Sequence, residues 1–151
     1  MIHVRQFRAS DFAAFDPIEP LSRTQVDDPE FAQAIEDSGL AVTGIRNGRV
    51  VGCAGVHPIN ETTGEIWIRI SKESLTFPTE MLWLLRDGFK IIEETYPFEV
   101  LTASVKCSLK SSVSMIEKFG FEFTQNQTID GEQWAIYSKR IKSEQYCKRV
   151  S

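Results

Sequence analysis

The sequence has few of the residues that build metal centres, disulfide frameworks or histidine-based catalytic sites. Its 151 residues include three cysteines, at Cys53, Cys107 and Cys147, and two histidines, His3 and His57. The cysteines form no CxxC pair and are odd in number, which favours reduced thiols in a cytoplasmic compartment. Cys53 and Cys107 lie in apolar runs and are predicted to be packed side chains. His3 has no acidic or cysteine neighbour at ligand spacing, so no metal site is predicted.

Long apolar runs and an excess of basic residues are also lacking. No stretch approaches the roughly 20 apolar residues of a membrane span, and residues 1–5 lack the apolar core of a secretory signal. The net charge of −4 argues against a general nucleic-acid binder. We therefore expect neither a membrane partner nor strong nucleic-acid binding.

The charge that is present is distributed unevenly. From residue 139 onward the chain has five basic residues and one acidic residue, a charge of about +4. Because the whole chain has a net charge of −4, residues 1–138 carry about −8. We divide the chain into one domain, residues 1–141, and a basic tail, residues 142–151. The tail is either a solvated, frayed terminus or a surface for a partner protein.

Hydrophobic patterns predict an α/β protein with the element order β-α-α-β-β-β-α-β-α-β-β. Ser10 offers an N-cap for the first helix, with Asp11 in its first turn. Asn47-Gly48 and Asp130-Gly131 are typical of tight hairpin turns. The other predicted helices cover residues 29–38, the stretch from Pro78 to Tyr96, and residues 109–118, which Gly120 ends. The predicted sheet is mixed, antiparallel through the hairpins and parallel where the long helix crosses over.

The stretch from Gly64 to Tyr96 organises this pattern. It begins with a strand that alternates Ile66, Ile68 and Ile70 on one face with Glu65, Trp67 and Arg69 on the other. A long helix follows, with an apolar stripe that Leu82 and Leu84 widen. Trp67, Trp83 and Trp134 are predicted to lie in the core or on a sheet face rather than to form a stacking platform. The stripe consists of Met81, Leu85, Phe89, Ile92 and Tyr96.

Three short stretches resemble the GCN5-related N-acetyltransferase (GNAT) family, which transfers acyl groups from acetyl-CoA to amines. They are Asn47-Gly48-Arg49-Val50-Val51-Gly52-Cys53-Ala54-Gly55, Gly64-Glu65-Ile66-Trp67 and Met115-Ile116-Glu117-Lys118-Phe119-Gly120-Phe121-Glu122. They resemble the family's second hairpin, its fourth strand and the end of its fourth helix. The resemblance covers about residues 2–141 and implies the GNAT, or acyl-CoA N-acyltransferase, fold.

A narrower resemblance is to the acetyltransferase-like internal virion proteins of short-tailed bacteriophages. It rests on the arm at residues 4–12, on a central strand that bears Trp67 and lacks a following glycine loop, and on the late pair Gly120-Phe121. This resemblance implies a role in particle assembly or genome delivery. The partners would then be other virion proteins, and the location would be the host cytoplasm or the virion.

The stretch where the family binds its cofactor departs from the family pattern. In the family, the loop before the long helix reads Q/R-x-x-G-x-G/A, and its glycines let backbone N–H groups wrap a pyrophosphate. Residues 71–80 contain no glycine, Pro78 removes a donor, and Glu73 and Glu80 place carboxylates where phosphates would lie. The resemblance implies acetyl-CoA as cofactor, whereas the loop argues against it. The positions that would contact the cofactor are Ile70, Ser71, Lys72, Thr76 and Thr79.

The catalytic positions are also altered. The position of the family's usual general acid, a tyrosine, is Ile116, and the family's asparagine falls near Leu109. Glu65 loosely matches the family's glutamate base, although a solvated strand-edge carboxylate is the simpler interpretation. His57, before Pro58, is either a second candidate base or a turn residue.

Two functions of different classes remain, and whether the chain is an enzyme stays open. In the first, a GNAT-fold protein has lost its cofactor chemistry and acts in assembly or interaction, as a pseudoenzyme. In the second, an N-acetyltransferase with an atypical cofactor loop uses Glu65 or His57 as a base through water. The missing glycines, the missing tyrosine and the added carboxylates favour the first.

Overall fold

The computed structural model describes residues 2–17, 29–96, 98–108 and 110–141. The basic tail, the segment of residues 18–28 and Leu109 lie outside the described residues. The helices are α1 (Pro29–Ser38), α2 (Pro78–Thr95) and α3 (Lys110–Lys118), with 3-10 helices at Ala9–Ala13 and Lys72–Thr76. The strands are β1 (Ile2–Gln6), β2 (Ala41–Arg46), β3 (Arg49–Pro58), β4 (Thr63–Ile70), β5 (Val100–Lys106), β6 (Glu122–Ile129) and β7 (Glu132–Arg140).

The strands form one mixed sheet in the spatial order β1-β2-β3-β4-β5-β7-β6. Neighbours pair antiparallel except β4 and β5, which are parallel because α2 crosses between them. The predicted mixed α/β architecture and element order are confirmed, with the first helix realised as the 3-10 helix Ala9–Ala13.

The predicted turns and the end of α3 are confirmed by their backbone angles. Asn47 and Gly48 have φ of 53° and 76°, and Asp130 and Gly131 have φ of 51° and 80°. Two successive positive values match the twist of a two-residue hairpin. Gly120, with φ of 89°, ends α3 in the left-handed region.

Helices cover both faces of the sheet at β4. On one face Ile66 and Ile68 pack in the main core with residues of α2 and α3, including Leu85 and Ile116. On the other face Trp67, 1% exposed, packs with Phe7 and Ile35. The predicted alternation of this strand is confirmed, and the whole of residues 64–69 is buried. No helix in the described parts of the chain is long and apolar enough to cross a membrane.

The structure corrects four of the predictions. Ser10 is not the N-cap, because the 3-10 helix starts at Ala9 and Arg8 is the N-cap residue. The Arg8 backbone N–H donates to the Asp11 carboxylate at 2.9 Å. Leu82 and Trp83 are 43% and 59% exposed, because they lie on the outer face of α2, away from the buried stripe. Cys107 is exposed because it follows the end of β5, whereas Cys53 is packed as predicted.

Candidate functional site

The parallel strands β4 and β5 diverge towards their carboxyl ends and leave an opening in the sheet. They pair from Thr63 with Val100 to Ile66 with Ala103. Beyond these pairs β4 continues to Ile70 and β5 to Lys106, without a further β4–β5 pair in the described sheet. In α/β sheets, ligands bind in such crevices outside the carboxyl ends of the strands. We therefore take the opening as the candidate site.

Glu65 lies at the base of the opening and is bonded across it. The Ser104 hydroxyl on β5 donates to Glu65 Oε2 at 3.1 Å. Glu65 is 8% exposed and Ser104 is 2% exposed, so the interpretation of Glu65 as a solvated strand-edge carboxylate is wrong. The reason is that β4 lies in the middle of the sheet, between β3 and β5, with both faces covered.

His57 is brought next to Glu65 by the strand register. The two residues pair directly between β3 and β4, so their side chains start on the same face of the sheet. The His57 ring is exposed and contacts the Phe31 ring of α1 edge-on, with 5.7 Å between centroids. The structure therefore brings the two predicted catalytic residues together. Their catalytic roles stay predictions.

A second buried polar cluster lies on the same face of the sheet. Arg5 donates two hydrogen bonds to the Asp11 carboxylate, at 2.8 and 2.9 Å, and Thr43 donates a third at 2.6 Å. Burial raises the pKa of Asp11, but hydrogen bonds from Arg5, Thr43 and the Arg8 backbone outweigh it and leave the pKa below its usual value. Burial raises the pKa of the neighbouring Cys53 to about 12, so this thiol stays protonated and is not a nucleophile.

The other end of the opening is the loop that would hold the cofactor, and it is a 3-10 helix here. The Ser71 N–H donates to Val51 O and the Lys72 N–H to Asp16 O, each at 2.9 Å. The Ser71 hydroxyl accepts from the Ser74 N–H at 3.2 Å and caps this helix. These amides bond within the protein, so they are not available to wrap a phosphate.

The other three predicted cofactor positions are Ile70, Thr76 and Thr79. Ile70 ends β4 half-buried against the core, and the Thr76 hydroxyl donates to the Glu73 carbonyl at 2.8 Å. Thr79 is exposed in the first turn of α2. The structure thus places all five predicted positions along one segment. What they bind stays a prediction.

The N-terminus of α2 already carries a carboxylate. Arg46 Nε donates to Glu80 Oε2 at 3.0 Å, and the Arg46 guanidinium stacks on the Phe77 ring at 4.2 Å from its centroid. The hydrogen bond from Arg46 lowers the pKa of Glu80, so the carboxylate is ionised at neutral pH. The Phe77 N–H donates to Ser74 O, and Pro78 has no N–H. Of the first-turn amides, those of Thr79 and Glu80 remain.

The nearby basic side chains are paired with carboxylates as well. Arg49 lies 3.4 Å from Glu73, and Lys72 lies 3.3 Å from Asp16. A pyrophosphate would have to displace these carboxylates and Glu80 before it could use the cations. The residues present therefore do not fit the pyrophosphate of acetyl-CoA. No local pattern predicts the Arg46–Glu80 pair, because its members are 34 residues apart and meet through the packing of α2 on the sheet.

A general acid is absent from the predicted position. Ile116 is 3% exposed and packs in the main core. Tyr137, also in this core, donates its hydroxyl to Glu117 at 3.1 Å, and burial together with this carboxylate raises its pKa. Among the described residues, no group of three or more histidine, cysteine, aspartate or glutamate residues could hold a metal ion.

Comparison with solved structures identifies the fold. An acetyltransferase of the GNAT family from Streptococcus pneumoniae matches with a TM-score of 0.73 and 16% identity, covering 93% of this chain and 99% of that one. A ribosomal-protein-alanine N-acetyltransferase from Brucella melitensis matches with a TM-score of 0.69 and 16% identity, covering 91% of this chain and 99% of that one. A putative acetyltransferase from Salmonella typhimurium, solved with acetyl-CoA, matches with a TM-score of 0.68 and 14% identity. The match covers 93% of this chain and 94% of that one.

No family model and no curated protein matches the sequence. The predicted GNAT fold is confirmed by the structural matches. At these identities the likeness establishes the fold alone.

Proposed function

We propose that this chain is a GNAT-fold protein that has lost acetyl-CoA chemistry and acts by associating with another protein. The observation that carries the proposal is the Arg46–Glu80 pair at the N-terminus of α2. The fold would bind a pyrophosphate at this helix end, where oriented amides and the helix dipole favour an anion. Here the anion is supplied by the chain itself.

The chemistry of catalysis supports the same proposal. Acyl transfer to an amine releases a thiolate, which a positioned acid would protonate. The corresponding side chain, Ile116, has no proton to give and is buried in the core. Since a working transferase needs both a donor site and a way to stabilise the leaving group, the two changes together favour a role without turnover.

The resemblance to internal virion proteins suggests which partners to test first. They would be other proteins of a phage particle, and the association would take place in the host cytoplasm or the virion. This part of the proposal rests on residues 4–12, Trp67 and the Gly120-Phe121 pair.

The direct test is a turnover assay. Acetyl-CoA is incubated with the protein and a set of acceptors that includes polyamines, amino acids and peptide N-termini, and acetylated products are followed by mass. Mass is the better readout because the exposed Cys107 would react with a thiol reagent. We expect no product above the rate without protein, for the wild type and for Glu65→Gln alike. Turnover that saturates with an acceptor and is lost in Glu65→Gln would contradict the proposal.

One observation favours a second function, an N-acetyltransferase with an atypical cofactor loop. Glu65 is buried, bonded by Ser104 and paired in register with the exposed His57. A carboxylate and an imidazole at the base of the opening could take a proton from an amine through water. In this case His57→Gln and Glu65→Gln would each abolish turnover in the same assay, while thermal stability of His57→Gln would stay unchanged because its ring is exposed.

A further inference from the structure

A groove runs along the outer face of α2, beside the end of α3. Its volume is about 510 Å³, which lies in the range of sites that hold ligands or side chains of a partner. Its walls come from the exposed side of α2, from the turn that ends α3 and from the last residues of β7. The lining residues are Leu82, Trp83, Arg86, Phe89, Lys90, Glu93, Lys118, Phe119, Gly120 and Lys139.

This groove is separate from the opening between β4 and β5. Lys139 pairs with Leu101, and Leu101 pairs with Gly64, at the amino ends of β5 and β4. The opening lies at the opposite, carboxyl ends of the same strands. A ligand in the groove would therefore not occupy the candidate cofactor site.

The groove is basic although the chain is acidic. Four cationic side chains line it against the single carboxylate of Glu93, in a chain of net charge −4. Lys139 is bonded to Glu93 and donates to the Phe119 carbonyl at 2.9 Å, so it belongs to the wall. Lys90 and Lys118 make no ion pair or hydrogen bond with any residue that the structure describes. Their charges are thus available to an acidic ligand from two different helices.

An exposed aromatic ring lies beside these charges. Trp83 is 59% exposed, and the Arg86 guanidinium stacks on it at 5.2 Å from the ring centroid. Leu82 is 43% exposed next to it. Tryptophan and arginine are the residues that most often carry the binding energy of protein interfaces. Contiguous exposed apolar surface with a polar rim is typical of interaction sites, and Trp83 and Leu82 together supply such surface beside the charges.

The walls of the groove are held in place by the core. The rings of Phe89 and Phe119 pack at 4.7 Å between centroids and join α2 to the end of α3. Phe89 also contacts Phe121, at 6.0 Å. Because these rings and Lys139 fix the two helices together, the groove exists before a partner arrives, and binding costs little ordering of the protein.

From these observations we propose that the groove docks an acidic segment of a partner protein. The segment would place an aromatic or aliphatic side chain against Trp83 and Leu82, and carboxylates near Lys90 and Lys118. The charge complementarity selects an acidic occupant, and the exposed tryptophan selects one with an apolar anchor. The inference rests on the proposed function, because a protein that acts by association needs a surface for it. The two can fail separately, since acetyl-CoA turnover tests the opening and not the groove.

Trp83 supplies the readout for the test. Trp67 and Trp134 are buried, so the solvent-exposed part of the tryptophan emission comes from Trp83. The probe is a short synthetic peptide with a central phenylalanine flanked on each side by two glutamates. The matched peptide has glutamine in place of every glutamate. We expect the acidic peptide to shift the emission to shorter wavelength in a saturable way, and the shift to weaken as salt is raised through about 0.15 M. The glutamine peptide should give no saturable shift.

Two variants separate the groove from charge in general. Lys90→Gln combined with Lys118→Gln should weaken binding of the acidic peptide by about tenfold or more, because both removed charges face the groove. Lys110→Gln removes one charge from the exposed start of α3, outside the groove, and should leave binding within about twofold. Trp83→Ala, followed by calorimetry, should abolish binding without lowering the melting temperature, since the side chain is exposed.

Any of four results overturns the proposal. The first is equal binding of the acidic and glutamine peptides. The second is an equal loss of affinity in Lys110→Gln and in the double variant. The third is tighter binding of adenosine monophosphate or inorganic pyrophosphate than of the peptide, lost when Lys90 and Lys118 are both changed to glutamine, which would make the groove a small-anion site. The fourth is a dimer, seen by sedimentation of the protein alone, that Trp83→Ala breaks, because it would assign the groove to a second copy instead.

Discussion

The two ends of the β4–β5 opening differ in how their polar groups are buried and paired. At the base, the buried Ser104 hydroxyl donates to the buried Glu65 carboxylate. A second buried cluster, Arg5 and Thr43 with Asp11, lies on the same face of the sheet but at the strand register of Arg69. At the loop end, Glu73 and Glu80 lie near the surface and are paired with Arg49 and Arg46. The polar groups at the base are shielded from water, whereas at the loop end the chain's own carboxylates pair with the nearby cations at the surface.

Because the two groups of polar residues differ in burial, substitutions in them should affect different properties of the protein. Buried ion pairs and hydrogen bonds are costly to break, because the remaining partner is left without water. Exposed pairs contribute little to stability, because water and salt compete with them. Changes at the buried groups, Glu65 with Ser104 and Asp11 with Arg5, should therefore act on folding. Changes at the exposed pairs of the loop end should act on what the protein binds.

The largest expected effect on stability is at Asp11. Asp11→Asn should lower the free energy of unfolding by about 3 kcal/mol, the lower end for a broken buried pair, because the Arg5 side chain is 32% exposed. Asp16→Asn is the matched control, since it removes a carboxylate that is 76% exposed, and it should change stability by less than about 0.5 kcal/mol. Urea unfolding measures both. Equal effects would erase the distinction between the two regions.

Asp11 also predicts an acid dependence with a definite sign. Its pKa is lower in the folded protein than in the unfolded chain, where it is about 3.9. Its stabilising contribution is therefore complete above the unfolded value and is lost as the pH falls through the folded value. Asp11→Asn should lose stability less steeply than the wild type below about pH 4. Parallel curves would show that Asp11 does not titrate differently in the two states.

A smaller effect is expected at Ser104. Ser104→Ala removes a hydrogen bond to the buried Glu65 carboxylate and should cost about 1–2 kcal/mol. Ser108→Ala provides the control, because this serine is exposed just after β5, and it should be neutral within about 0.5 kcal/mol. Thermal unfolding distinguishes the two. A neutral Ser104→Ala would mean that this hydrogen bond contributes nothing to the stability of the base.

The smallest effect on stability is expected at the loop end. Arg49→Gln breaks the pair with Glu73, in which the Arg49 side chain is 71% exposed, and should change stability by no more than about 0.5 kcal/mol. Urea unfolding at low and at high salt measures it. A loss that persists at high salt would show that this end contributes to folding as the base does.

The sequence predicted the fold better than the site, and particular residues show why. The turns at Asn47-Gly48 and Asp130-Gly131, the end of α3 at Gly120 and the stripe of α2 are local patterns, so neighbouring residues suffice to predict them. The burial of Glu65 depends on Ser104, which is 39 residues away. No local pattern contains that information.

Three residues that the local pattern predicts to be buried are exposed in the structure. Trp83 and Leu82 are apolar and stand in a helical pattern, which predicts burial, yet they face solvent because the stripe of α2 is complete without them. Cys107 lies in an apolar stretch but just beyond the last residue of β5, where the chain leaves the sheet. These positions could be assigned only after the packing partners of each element were known.

The measurement that tests the central claim most directly is calorimetric titration of the protein with acetyl-CoA. Because the amides of Ser71 and Lys72 are bonded internally and Glu80, in the first turn of α2, pairs with Arg46, we expect a Kd of about 1 mM or weaker, near −4 kcal/mol. Glu80→Gln removes the carboxylate, frees Arg46 and should tighten binding several-fold. Saturable binding by the wild type at micromolar acetyl-CoA, unchanged in Glu80→Gln, would contradict the claim that the cofactor end of the fold is closed from within.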